Sequence, residues 1–81
     1  MGYIRKEVYK RRLGERIAEL RNARSWSQEE LGARIGGRDR QSINRIEKGL
    51  HDPGSFLLVE MAEAFGMTFS QLVDFDYSSI D

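Results

Sequence analysis

The chain of 81 residues is long enough for one small domain, and its 40% hydrophobic and 32% charged residues are typical of a folded helical protein. The absence of cysteine excludes disulfides and thiolate metal sites, and a lone histidine, His51, cannot hold a metal by itself, so we expect no metal or other cofactor. The formal net charge is zero, and no apolar run suits a membrane span or a signal peptide, so the sequence predicts a soluble cytoplasmic protein.

The first predicted element is an amphipathic helix over about residues 6–24, in which Gly14 is the only breaker. Its apolar residues recur on one face at helical spacing: Tyr9, Leu13, Ile17 and Leu20. We interpret this face as part of the core. Residues 1–8, at the start of the chain, are predicted to form a basic N-terminal arm.

A capping box predicts the start of a second helix. The hydroxyl of Ser27 can accept from the amide of Glu30 while the Glu30 carboxylate reaches back, so this helix begins at Gln28. The Gly36–Gly37 pair ends it. Gly32, inside the helix, costs roughly 1 kcal/mol relative to alanine. We therefore expect a closely packed neighbour at Gly32.

Asp39 is a good N-cap, which predicts a third helix over about residues 40–48 with Gly49 just past its end. Ile43 and Ile46 are its predicted buried pair. The remaining positions face outward and are polar: Arg40, Gln41, Asn44, Arg45 and Lys48. Arginine pairs with guanine, and glutamine or asparagine with adenine, so this helix suits the edges of DNA bases. Two short helices joined by a tight turn form a helix-turn-helix.

Two more helices follow a loop. A fourth is predicted over residues 55–65, and a second capping box, Thr68 with Gln71, starts a short fifth helix. The sequence therefore predicts a single all-α domain with its core in residues 6–75 and an acidic C-terminal tail over residues 76–81.

The chain from residue 13 to residue 75 resembles the phage Cro and repressor proteins and their bacterial relatives, the xenobiotic-response-element type regulators. The resemblance includes "LGERIAELRNARSWSQEELGARIG", "RQSINRIEKG" and "DPGSFLLVEMAEAFGMTFSQLVDF" in order. It implies a five-helix, lambda-repressor-like DNA-binding domain whose second and third helices form the helix-turn-helix.

The resemblance also implies roles for single residues. Gln28 would bind a backbone phosphate, Arg40 and Gln41 would meet base edges first, and Asn44 and Arg45 would follow one turn later. The expected DNA-binding residues are Gln28, Arg38, Arg40, Gln41, Asn44, Arg45 and Lys48. The alternative for Gln28 is that it is only the first residue of its helix, and for the others it is a solvated side chain without a contact.

Two further features concern the geometry of the third helix. Arg21 and Glu47 match a pair that, in relatives, forms a largely buried salt bridge between helices one and three. The segment from Gly36 to Ile43 is one residue longer than the family's commonest turn. That extra residue leaves open whether Arg40 or Gln41 points at the groove.

The charge is unevenly distributed along the chain. Residues 1–48 hold all thirteen Lys and Arg side chains and seven acids, a net charge of +6, whereas residues 49–81 hold six acids and no Lys or Arg, a net charge of −6. The candidate reading helix lies in the positive half, as binding to DNA requires. The basic cluster within residues 5–12 is either a solvated face or an arm on the DNA backbone.

These observations predict a transcriptional regulator, a repressor in preference to an activator, that binds a palindromic operator in double-stranded DNA as a homodimer. The expected dimer surface comprises Phe69, Leu72, Phe75 and Tyr77, with Ile80 beyond them; the alternative for Phe69 and Leu72 is that they close the core. An alternative function is an antitoxin or adaptor whose C-terminal part binds a small protein. We expect no enzyme activity, no membrane association and no small-molecule ligand.

Overall fold

The computed structural model describes residues 5–76, and within that range the chain forms five α-helices and no strand. The helices are α1 Lys6–Ala23, α2 Gln28–Arg34, α3 Arg40–Glu47, α4 Gly54–Phe65 and α5 Phe69–Leu72. The predicted all-α, five-helix architecture is confirmed. None of these helices is long and apolar enough to cross a membrane.

Reciprocal side-chain caps fix the starts of α2 and α5. The hydroxyl of Ser27 accepts from the Glu30 amide at 3.0 Å, and the Glu30 carboxylate accepts from the Ser27 amide at 2.8 Å. Thr68 and Gln71 make the same pair of bonds at α5. Both predicted capping boxes are confirmed, because each depends only on residues three apart along the chain.

One apolar core joins all five helices. Its buried members are Leu13, Ile17, Leu31, Ile35, Ile43, Ile46, Leu57, Leu58, Met61, Ala62, Phe65 and Leu72. Leu72 was expected on a dimer surface, and this expectation is corrected: its side chain is 0% exposed, because it packs into the core from α5. A side chain buried within its own domain has no surface left for a second copy.

Residues 6–8, predicted as part of the N-terminal arm, belong to the first turn of α1, and Val8 is buried. These three residues are therefore part of the folded domain. Residues 1–4 of the arm, and Tyr77 and Ile80 of the tail, lie outside the described residues.

Helices α1 and α3 come closest beside Gly14. A Cβ atom at Gly14 would lie 2.6 Å from the carbonyl oxygen of Ile46 and would also collide with that of Glu47. Just past α3, Gly49 lies against the backbone of Arg11, to whose Cα an added Cβ would be only 3.0 Å. The absence of side chains at these glycines lets the end of α3 rest on the backbone of α1.

The expected close neighbour of Gly32 is the backbone of the turn between α2 and α3. A Cβ at Gly32 would collide with the carbonyl oxygen of Arg38, and the Arg38 amide donates to the Gly32 carbonyl at 2.9 Å. Gly36 and Gly37 adopt φ of 92° and 75°, a conformation that glycine reaches without strain. These contacts fix the path of the turn that leads into α3.

A layered stack holds α4 against the ends of α1 and α2. The rings of Trp26 and Phe65 stack with centroids 5.8 Å apart. Arg34 lies 4.1 Å from the centroid of Trp26, and Arg24 lies 4.9 Å from that of Phe65. Arg24 also donates to the Phe65 carbonyl at 2.6 Å. These arginines therefore have a structural role, since cations over aromatic faces attract the ring electrons.

We expect Gly14→Ala to lower the free energy of unfolding by about 1–3 kcal/mol, because the new methyl group forces α1 away from two backbone carbonyls of α3. The higher helix propensity of alanine offsets only part of this loss. Urea unfolding followed by circular dichroism measures the change. Glu15→Ala, at the exposed neighbouring position, is the control and should leave stability within about 0.5 kcal/mol of wild type. Equal stability of the two variants would contradict the close contact.

Candidate nucleic-acid interface

The outward face of α3 consists of Gln41, Arg45 and Lys48. Ile43 and Ile46 are 0% and 2% exposed and attach the helix to the core. Because successive helical residues are about 100° apart, Gln41, Arg45 and Lys48 lie opposite this buried pair. All three are exposed. The face that α3 presents to a partner therefore carries two cations and one carboxamide.

Arg40 and Asn44 lie on the flank of α3 that faces α2. With Gln41 they line an open depression that also includes Glu29 of α2. Arg40 is exposed and Asn44 is half-buried. Relative to the buried pair Ile43 and Ile46, Gln41 lies on the opposite side of α3 and Arg40 lies at the side.

A second depression lies on the other flank of α3. The residues that line it come from the turn, from α3, from the following loop and from α4: Arg38, Ser42, Arg45, Ile46, His51 and Leu57. Sequence analysis named Arg38 and Arg45 but did not place His51 here. No local pattern indicates this position, because it depends on how the loop after α3 folds back beside the helix.

A charged pair between α1 and α3 fixes the angle of α3. Arg21 donates through Nε to Glu47 Oε2 at 2.7 Å and through Nη2 to Glu47 Oε1 at 3.0 Å. The two side chains are only 13% and 7% exposed. Hydrogen bonding to the Glu47 carboxylate raises the pKa of Arg21, burial opposes the shift, and the charge of Glu47 adds to it. The structure thus contains the predicted buried ion pair.

Gln28 lies between α2 and α3 and bonds to α3 in the unbound protein. Its Nε2 donates to Asn44 Oδ1 at 3.2 Å and to Glu47 Oε1 at 3.0 Å. The residue thus belongs to the same polar network as the Arg21–Glu47 pair. Sequence analysis assigned it only a phosphate contact and missed this network, which brings together residues 16 to 26 positions apart.

Asp39 fixes the start of α3. Its carboxylate accepts from the Ser42 amide at 2.8 Å, and this bond to the backbone lowers the pKa of Asp39. The stabilisation is therefore complete above the ordinary aspartate pKa and is lost as the pH falls through the lowered value. The predicted N-cap is confirmed.

The basic cluster of residues 5–12 is only partly near α3. The backbone of Lys10 and Arg11 lies against Gly49 at the end of α3. Arg5 forms an exposed ion pair with Glu7 at 3.6 Å. Within residues 5–76, no group of three histidine or acidic side chains is arranged to hold a metal ion.

Two comparisons of the sequence with known proteins both find helix-turn-helix proteins. The helix-turn-helix family model HTH_3 matches residues 17–72. The uncharacterized HTH-type transcriptional regulator y4dJ of Sinorhizobium fredii is 34% identical over 61 residues, which are 75% of this chain and 78% of that protein.

Solved structures share the fold. The restriction-modification controller protein C.AhdI from Aeromonas hydrophila is similar with a TM-score of 0.68 and 31% identity, over 76% of this chain and 88% of that one. The P22 c2 repressor, solved in complex with a synthetic operator, is similar with a TM-score of 0.69 and 25% identity, over 79% of this chain and 96% of that one. The predicted lambda-repressor-like fold is thereby confirmed.

We expect Glu47→Gln to lower the free energy of unfolding by about 3 kcal/mol or more, because it leaves the largely buried Arg21 without a countercharge. Urea unfolding at neutral pH measures the loss. The matched control is Glu7→Gln, which breaks an exposed pair and should cost less than about 1 kcal/mol. Similar small losses in the two variants would show that the buried pair does not hold α3.

Proposed function

The chain belongs to the helix-turn-helix family HTH_3, the Cro/C1-type transcriptional regulators, and we propose that it represses transcription by binding a palindromic operator as a homodimer. The observation that carries the proposal is the outward face of α3. It presents Gln41, Arg45 and Lys48 on a helix held to the core by two isoleucines and to α1 by a buried ion pair. Bound over a promoter, such a dimer excludes other proteins from the DNA, and no catalysis is needed.

The proposed contacts follow from the side-chain chemistry. Arg45 suits the O6 and N7 acceptors of guanine, and Gln41 suits the N6 and N7 of adenine. Lys48 carries a charge without a fixed hydrogen-bonding pattern, and Arg38 lies in the turn before α3, so we assign both to phosphates. Because Arg40 lies on the flank of α3, we expect it to contribute less to base recognition than Gln41 does.

The base-reading assignment can be tested by gel shift after selection of bound DNA from a random pool. We expect Gln41→Ala to lose preference at one base pair, a loss of about 1–3 kcal/mol in discrimination. Arg40→Ala should change base preference less. Lys48→Ala is the control for phosphate contact: it should weaken binding to all sequences and flatten the plot of log K against log salt by about one.

Retention of full operator preference by Gln41→Ala would contradict the orientation of α3 described above. Affinity that does not depend on salt would contradict binding to DNA through its phosphates.

Binding as a dimer requires a self-complementary surface. Of the four residues expected there, Leu72 is buried and Tyr77 lies outside the described residues. Phe75 is half-buried and stacks on Tyr9 with centroids 6.3 Å apart, whereas Phe69 is 40% exposed. Sequence analysis missed a more exposed set between α3 and the middle of α4: Leu50 at 63%, Phe56 at 73% and Val59 at 50%. We therefore place the main dimer contact on Leu50, Phe56 and Val59.

We expect Phe56→Glu to convert the dimer to a monomer in sedimentation at micromolar concentration, because a charge replaces an apolar side chain that a second copy would cover. Phe69→Glu is the matched comparison and should leave the dimer intact. If Phe69→Glu dissociates the dimer and Phe56→Glu does not, the dimer contact lies on α5. A wild-type protein that stays monomeric on its operator would favour the alternative function, an antitoxin or adaptor whose C-terminal part binds a small protein.

A further inference from the structure

Four side chains from three helices share one hydrogen-bond network. Gln28 of α2 donates from a single atom, Nε2, to Asn44 Oδ1 and to Glu47 Oε1 on α3. The same Oε1 accepts from Arg21 of α1 at 3.0 Å. Asn44, which the sequence analysis expected to contact DNA, is thus connected to the ion pair between α1 and α3.

The chemistry of Glu47 determines the orientation of both carboxamides. The Glu47 carboxylate is paired with Arg21 and only accepts hydrogen bonds. Gln28 must therefore turn its amino group, and not its carbonyl, toward Glu47. The second hydrogen of that amino group is directed at Asn44, so Asn44 must present its oxygen to Gln28.

The amino group of Asn44 is then left on the opposite side of its carboxamide. Within residues 5–76, Nδ2 of Asn44 has no hydrogen-bond partner. Asn44 is half-exposed and borders the same open depression as Arg40 and Gln41. The side chain therefore offers donors to a bound molecule, while the bond from Gln28 to one lone pair holds Oδ1 toward α2.

We infer that Gln28 is a positioning residue that makes Asn44 a donor-only contact to DNA, so that Asn44 favours guanine over adenine. Guanine offers two acceptors in the major groove, O6 and N7. The usual pairing of asparagine with adenine needs Oδ1 and Nδ2 to face the same base, and the bond from Gln28 holds Oδ1 toward α2. This inference rests on the proposed function and specifies the base that one residue of its site selects.

The network also bears on the phosphate contact expected of Gln28. Both hydrogens of its amino group are used, and the remaining Oε1 is an acceptor, which a phosphate oxygen does not bind. A side-chain contact with phosphate would have to break the bonds to Asn44 and Glu47. Gln28 can therefore either position Asn44 or bind a phosphate, but not both at once. Loss of the first role changes base preference, whereas loss of the second lowers affinity for all sequences.

The experiment compares three proteins in selection of bound DNA from a random pool. Asn44→Ala identifies the base pair at which preference is lost. At that pair we expect the wild type to prefer guanine over adenine by about fivefold or more. In Gln28→Met, which has similar length and no donors, the ratio should fall below about twofold, because Asn44 is free to turn.

Three results would overturn the inference. A preference for adenine in the wild type contradicts donor-only reading, and an Asn44→Ala variant with unchanged preference shows that Asn44 does not read a base. A uniform loss of affinity in Gln28→Met, with the guanine preference kept, assigns Gln28 to phosphate alone. If the wild type retains no DNA from the pool, the proposed function fails and the inference falls with it.

A measurement on the unbound wild type makes the test independent of whether Gln28→Met folds. We expect the side-chain amide protons of Gln28 to exchange with solvent several times more slowly than those of Gln41, which is exposed on α3. Exchange at the same rate in the two residues would show that the network does not form in solution, and would also overturn the inference.

Discussion

The ion pair between Arg21 and Glu47 determines how α3 lies on the rest of the domain. Ile43 and Ile46 can attach the helix to the core at a range of angles, because apolar contact is not directional. Two hydrogen bonds in a bidentate geometry have a direction, and with both side chains at most 13% exposed they form in a weakly polar environment. The pair therefore gives α3 a defined orientation, which the proposed recognition of bases requires.

Contacts between main chains also restrict the position of α3 at each of its ends. Gly14 brings α1 against the carbonyl groups at the end of α3, and Gly32 brings α2 against the turn that precedes it. Neither contact leaves room for a methyl group. An apolar core tolerates changes of shape more readily than a contact between main chains, since a side chain can change rotamer and a carbonyl group cannot. The position of the outward face thus depends on the two glycines, Gly14 and Gly32, as much as on the side chains that pack in the core.

The elements that could be predicted from the sequence are those with local causes. The starts of α2, α3 and α5 follow from caps whose partners are three residues away, and Ile43 and Ile46 follow from helical spacing. Leu72 was misassigned because periodicity identifies an apolar residue without identifying what covers it. Gln28 was predicted correctly as the first residue of α2, but its bonds to α3 depend on tertiary packing. His51 and the exposed side chain of Phe56 likewise acquire their surroundings only from the folded chain.

The outward residues of α3 differ from their neighbours in one respect that matters over evolutionary time. The side chains of Gln41, Arg45 and Lys48 make no hydrogen bond or ion pair within residues 5–76, whereas Asn44 is tied to Gln28. Mutations at the first three positions can therefore accumulate without loss of folding, and under the proposed function the preferred operator drifts as they do. A paralogue that arises by gene duplication could acquire a new target through these positions alone.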